Sequence, residues 1–298
     1  MDILVLGGAG QVGLEAQALA WPQGASVHAP TRAALDLRDG EGVAAFIVAR
    51  PWAAIINAAA FTAVDEAETQ AAAAWALNAH APAVIARAAA MAAIPLIHVS
   101  TDYVFAGDKA GFYEEDDPIA PINVYGASKA AGEIAVRAAH PQSVIVRTAW
   151  VASRHRSNFV KTMLRLAQSA PRLRVVADQH GSPTSAADLA RALQTIALHK
   201  IADRTAPGGI FHCVNAGDAS WRDVAQAVIA RAALRRRANP PIDAITTAQF
   251  PTPARRPANS RLSARKLEAA FAIRMRPWQE AFAEIVDALV AQEEGVSS

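Results

Sequence analysis

A chain of 298 residues, 52% of them hydrophobic, can bury a sizeable core as one large α/β domain or a large domain with a smaller companion. Its 29 Lys and Arg against 27 Asp and Glu leave a formal charge of only +2, which argues against charge-driven binding of nucleic acid or a membrane surface. The single cysteine, Cys213, excludes an internal disulfide and a thiolate-only metal site.

The opening "MDILVLGGAG" reads as a strand that starts almost at once, leaving no room for a signal peptide. The Ala-rich stretch 79–94 is broken by His80, Pro82 and Arg87. A soluble, cytoplasmic chain without a membrane span is therefore expected. Strands are predicted near 2–7, 25–29, 53–57, 95–100 and 143–148, alternating with helices near 11–21, 41–49, 67–74, 80–93 and 125–139. That alternation implies a Rossmann-type α/β fold, a doubly wound parallel sheet with ligands beyond the strands' carboxyl ends.

Beyond residue 150 the pattern is less regular. Helices are predicted near 158–169, 185–199 and 220–235, and strands in "LRVVAD" and "GIFHCVN". The Pro-rich stretch from Pro240 to Leu262 reads as mostly loop. A last helix, 277–293, carries Trp278, Phe282, Ile285, Val286 and Leu289 on one face. Two basic groups, Arg154-His155-Arg156 and Arg235-Arg236-Arg237, read as local features, the second as a solvated helix end. The expected division is an NAD(P)-binding Rossmann domain over 1–150, rejoined by a strand and helix near 209–235. A smaller C-terminal substrate-binding lobe then takes discontinuous segments of 151–298.

"GGAGQVG", residues 7–13, spaces Gly7, Gly10 and Gly13 as G-x-x-G-x-x-G between the first strand and first helix. Glycines there permit a tight turn and bring backbone N–H groups and a helix N-terminus up to a pyrophosphate. Where NAD enzymes commonly place an acid for the ribose hydroxyls, "VHAPTR" offers Thr31 and Arg32. Arg32 suits a 2′-phosphate, so NADPH is favoured and NADH stays open. Asp36 is expected beside the adenine. Ala58, Ala59 and Ala60 leave space for a flat ligand, with Phe61 and Thr62 flanking it.

"VYGASKAAGE" sets Tyr125 and Lys129 four residues apart, on one side of a helix. A phenol with a reference pKa of about 10 is a poor acid near neutrality. A neighbouring ammonium, together with a nicotinamide cation, stabilises the phenolate and suits proton donation to a carbonyl receiving hydride. "HVSTDYVFAG" ends a core strand in Ser100, Thr101 and Asp102, polar groups that cost free energy there unless used. Thr101 is expected to hydrogen-bond the oxygen that Tyr125 protonates.

Together these motifs resemble the extended short-chain dehydrogenase/reductase family, mostly nucleotide-sugar enzymes. Dehydratases of that family carry Thr-Asp-Glu at this strand end. "STDYVF" keeps Thr101 and Asp102 but has Tyr103, which cannot replace a carboxylate at the sugar's C5 proton, so carbonyl reduction is favoured over elimination. The likeness is strongest to the dTDP-4-dehydrorhamnose reductases of the family. It extends through "NAAAFTAVDEAE", "RTAWV", "NFVKTMLRLA", "DQHGSPT" and "PTPARRPANSRL".

The resemblance implies NADPH-preferring reduction of the C4 ketone of dTDP-4-dehydro-L-rhamnose. The alternatives are another nucleotide-linked 4-ketohexose or a non-catalytic nucleotide-binding regulatory subunit. It implies Gly10, Gln11 and Val12 at the pyrophosphate, with Asp36, Leu37, Ala60, Phe61 and Thr62 about the adenosine and ribose. Tyr125 and Lys129 fall at the nicotinamide ribose, Thr101 and Asp102 on the sugar, and Trp150 over it. Arg256, Lys161 and Arg154 are candidates to neutralise the diphosphate. His180 reads as structural. Phe61, where histidine is common, and Ala152 depart from some relatives without removing a reacting group. Glu15 matches a position associated with Mg²⁺ in some members, but no metal ligand is assigned. The sequence is compatible with a homodimer.

Overall fold

Ile3 to Leu6 are all buried, and they alternate between two cores as a strand's pleat requires. In the computed structural model, which describes residues 1–235 and 238–296, this run is β1 (Asp2–Leu6). Arg236 and Arg237 of the second basic group lie outside the described residues. From β1 the chain continues through α1 (Gln11–Ala18), β2 (Ser26–His28), α2 (Gly40–Val48), β3 (Ala54–Asn57), α3 (Val64–Ala67) and α4 (Ala71–Trp75). Then come α5 (Ala81–Met91), β4 (Leu96–Thr101), α6 (Val124–Ala139) and β5 (Val144–Thr148). The second half contributes β6 (Val151–Ala152), α7 (Phe159–Ser169), β7 (Leu173–Val176), β8 (His180–Gly181), β9 (Thr184–Ser185) and α8 (Ala186–Ala202). It ends with β10 (Gly209–His212), β11 (Ala219–Ser220), α9 (Trp221–Ala233), β12 (Ile242–Ile245), β13 (Asn259–Ser260), α10 (Arg265–Phe271) and α11 (Trp278–Val296).

Six strands form one parallel sheet in the order β10-β5-β4-β3-β1-β2. Its connections change direction between β1 and β3, the switch point at which a doubly wound sheet opens a crevice for ligands. Ile3, Val5, Ile56 and Val146 pack on one side with Leu189, Leu193 and Ile196 of α8. Leu4, Leu6, Ile55 and Ile145 pack on the other with Val43, Ile47, Ile85 and Val136. The sheet is thus covered on both faces, as an all-parallel sheet must be.

A separate core joins α7, α9 and α11 through Val160, Leu164, Val224, Val228, Phe282 and Val286. The five apolar residues read on one face of the last helix are all buried in it. Of the segment near 209–235, the strand lies beside β5, with Gly209 opposite Val144. The helix does not follow it onto the sheet. β11 pairs antiparallel with β8 and carries the chain away before α9 begins, so α8 covers the sheet next to α1 instead.

The helix predicted near 67–74 is split into α3 and α4, and two further stretches differ from the expected elements. The helix predicted from residue 80 is continuous with α4 through a π-turn at Ala76–His80. Pro82 lacks the N–H that the Asn78 carbonyl would accept, so the register widens just before it. The Pro-rich stretch holds β12, parallel to β7, and β13, parallel to β8, because its prolines flank these strands without entering them. Among the described residues no helix is long and apolar enough to cross a membrane.

Candidate active site

β1 delivers the chain into a turn in which Gly7 takes φ 84° and its carbonyl accepts the Gly10 amide at 2.9 Å. A Cβ at Gly13 would lie 2.3 Å from the Gly7 oxygen, so only glycine lets α1 start this close to the strand. No side chain caps α1 at Gly10. Its first amides face a cleft of about 610 Å³, whose wall includes Gly7, Gly10, Gln11, Val12 and Ala58–Ala60. Uncapped amides at a helix start favour an anion, and this cradle fits a dinucleotide's diphosphate.

Behind the same glycines, a hollow of about 180 Å³ is lined by Thr31, Arg32, Asp36 and Leu37. Arg38 grips Asp36 side-on, donating from Nε at 3.0 Å and Nη2 at 2.5 Å, and holds its carboxyl well below the usual carboxylate range. Arg32 stands 3.7 Å from the same carboxylate and is largely exposed. Arg32 is thus the cation on the wall of the hollow where a 2′-phosphate would enter, while Arg38 is engaged with Asp36.

The polar end of β4 meets α6 across the cleft. Asn123 caps α6 by accepting the Gly126 amide at 2.7 Å, and a Cβ at Gly126 would lie 2.2 Å from the Tyr103 carbonyl. This close seat brings Tyr125 and Lys129 to the strand end. Lys129, only 1% exposed, donates to the Val99 carbonyl at 2.7 Å. Burial brings its ammonium down to about 8, with Glu133 opposing. Burial pushes the Tyr125 phenol above its ordinary value, and the Thr101 hydroxyl hydrogen-bonded to it opposes that shift. In the protein alone Lys129 is not among the groups that shift the Tyr125 phenol, and its ammonium donates to the strand backbone.

Thr101 Oγ1 donates to Asp102 Oδ1 at 2.9 Å and accepts from the Tyr103 amide at 3.2 Å. Burial raises the Asp102 carboxyl to about 6, opposed by Ser260 and Thr101. Among the described residues, Asp102 Oδ2, Ser100 Oγ and Thr148 Oγ1 are buried without a partner, and all three residues line the cleft. Such orphaned groups point to a polar ligand.

The far wall is aromatic. Trp150, at φ 48°, stacks on Trp221 with ring centroids 3.6 Å apart and planes 7° from parallel. Phe159 leans on Trp221 at 4.7 Å. A Cβ at Gly181 would lie 2.4 Å from the Trp150 ring, so glycine there leaves the indole its place.

Comparison with known proteins places this arrangement. Residues 1–291 match the family described as RmlD substrate binding domain. The chain belongs to that family. A dTDP-4-dehydrorhamnose reductase of Sinorhizobium fredii is 43% identical over 98% of this chain and 99% of its own. The crystal structure of a dTDP-4-dehydrorhamnose reductase from Clostridium acetobutylicum has a TM-score of 0.89 at 36% identity, covering 97% of this chain and 99% of that one. One from Bacillus anthracis, in complex with NADP, has a TM-score of 0.88 at 32% identity, covering 96% and 99%. The likeness read from the motifs thus holds along nearly the whole chain.

Within this family member the cleft gathers Thr101, Asp102, Tyr125, Lys129 and Trp150 with Gly7, Gly10, Gln11, Val12, Ala60 and Thr62. Other expected residues sit elsewhere. Gly13 supports the turn from behind. Phe61 packs on the small cluster of Ala67, Ala74 and Tyr125, its backbone pinned by Asn78 at 2.8 and 3.1 Å. Arg256 is off the cleft wall, tied to Asp65 at 2.8 Å and to the Tyr103 hydroxyl at 3.4 Å. Lys161 reaches the Arg154 carbonyl at 3.4 Å, His180 pairs within β8, and Glu15 lies 3.5 Å from His155. Among the described residues no three His, Cys, Asp or Glu side chains gather as a metal site. Sequence reasoning missed Trp221, Val224, Phe282 and Arg156 on the cleft wall. Ser220-Trp221-Arg222-Asp223, a capping box in the structure, carried a helix-start signal but none for a ligand.

Proposed function

We propose that the chain reduces the C4 ketone of dTDP-4-dehydro-L-rhamnose to dTDP-L-rhamnose with NADPH. The observation that carries this is a single cleft holding both an uncapped glycine cradle and the Thr101–Tyr125–Lys129 group. NADPH, when bound, supplies hydride to the ketone carbon. Gly7, Gly10 and the first amides of α1 would hold its diphosphate, and Arg32 its 2′-phosphate. NADH would forgo that last contact.

Tyr125 Oη gives its proton to the ketone oxygen as negative charge develops there. Lys129, still protonated at neutral pH, stabilises the phenolate left behind. Thr101 bridges Tyr125 and Asp102, and the free Oδ2 of Asp102 accepts a sugar hydroxyl. The Trp150–Trp221 stack walls off the deoxysugar and excludes water. In this reading the sheet domain serves the cofactor and the α7–α9–α11 lobe the substrate. Arg256, tied to Asp65, holds Tyr103. The same reading places the protein in the cytoplasm with no nucleic-acid partner.

Incubation with NADPH and the ketosugar nucleotide, with the product identified by NMR, tests this. Oxidation of NADPH with formation of dTDP-L-rhamnose is expected. Binding without oxidation would instead indicate a regulatory subunit, and turnover only of another ketohexose a different substrate.

A further inference from the structure

Arg156 takes no part in the chemistry above, yet its placement is unusual. It stands at φ 55°, a left-handed conformation that residues with side chains rarely adopt. Its segment is strapped to the start of α1. Ser153 Oγ and Asn158 Nδ2 each donate to Gln11 Oε1 at 3.0 Å, and Arg156 Nε donates to the Ala9 carbonyl at 2.7 Å. Ala9 lies between Gly8 and Gly10, inside the turn that faces the diphosphate. Arg156 lines the same cleft as Gly10, Gln11 and Val12. Among the described residues, its terminal guanidinium nitrogens have no acceptor. An open cationic fork and a set of uncapped amides therefore border one anion site.

We propose that Arg156 is a strap over the cofactor's diphosphate, resting on the Ala9 carbonyl in the free protein and closing on phosphate oxygens when the dinucleotide binds. The proposal rests on reading the glycine turn as a dinucleotide cradle. Glycine would hold the same backbone turn without strain, so a substitution there removes the side chain and leaves the turn. Because NADPH and NADH share the diphosphate, Arg156 serves both alike, unlike Arg32 beside the adenosine hollow.

The test is titration of NADPH and of NADH into the wild-type protein, Arg156→Gly and Arg156→Lys, by calorimetry, with melting curves of each protein alone. Arg156→Gly is expected to bind both dinucleotides about tenfold more weakly, by the same factor, because one charge-assisted contact is lost. Its melting temperature should equal or exceed that of wild type, and Arg156→Lys should recover part of the affinity. Unchanged affinity in Arg156→Gly, a loss confined to NADPH, or a loss that tracks a lowered melting temperature would each overturn the strap. Wild-type protein that binds neither dinucleotide would overturn the cradle reading itself, and the strap with it.

Discussion

Lys129 hydrogen-bonds the Val99 carbonyl at 2.7 Å, one helical turn from Tyr125. This fixes a buried ammonium beside the reacting end of β4. Burial leaves it titrating at about 8, so it is charged at pH 7 and neutral at pH 9. The value of kcat/KM for NADPH should therefore fall as pH rises through about 8. Lys129→Arg, whose cation does not titrate in this range, should lower the rate and remove that fall. A pH–rate profile flat from 7 to 9.5 in the wild type would contradict this.

Asp102 shows the trade of stability for function. Burial raises its carboxyl from an ordinary 3.8 to about 6, so the folded state binds its proton more tightly than the unfolded state does. Ionisation at pH 7 then opposes folding by roughly 3 kcal/mol. Asp102→Asn is expected to raise the melting temperature at pH 7. The gain should shrink between pH 6 and 4, and vanish where both states are protonated. Activity should drop meanwhile. Equal gains at pH 4 and pH 7 would count against this account.

Gly181 tests the aromatic wall. Alanine there would put its Cβ 2.4 Å from the Trp150 ring and force the indole off its stack with Trp221. Gly181→Ala should lower kcat/KM for the ketosugar about tenfold or more, with NADPH affinity unchanged, since one misplaced contact can cost that much. Steady-state kinetics and a cofactor titration separate the two effects.

Beneath the catalytic helix, Arg147 and Glu133 form a two-pronged ion pair at 2.9 and 2.7 Å, each only 2% exposed. Glu133→Gln leaves the guanidinium buried without its counter-charge and should destabilise the fold by about 3–5 kcal/mol. Denaturant unfolding measures this. It should also move the Lys129 pH limb downward, because Glu133 supports that ammonium's charge.

Much of this was legible in the chain itself. Alternating apolar runs located β1 to β5 and the helices between them, since burial on both faces leaves long β-branched stretches. The glycine spacing and the Tyr125–Lys129 pair are local patterns, and local patterns survive in sequence. What stayed hidden depends on distant segments. Arg256 looked free until Asp65, 191 positions earlier in the chain, was found beside it. Trp221 drew no reading of its own, because its place on the cleft follows from α9 packing against α7 and not on the sheet. The Pro240–Leu262 stretch hid two strands because prolines crowd their borders. The upward shift of the Tyr125 phenol follows from its burial, which no spacing of residues reveals.

The proton that Tyr125 gives to the ketone oxygen is the centre of the account, and Tyr125→Phe measures it most directly. With NADPH binding and melting temperature preserved, kcat for the ketosugar is expected to fall by about 100-fold or more. Turnover within a few-fold of wild type in that folded, cofactor-binding variant would contradict it.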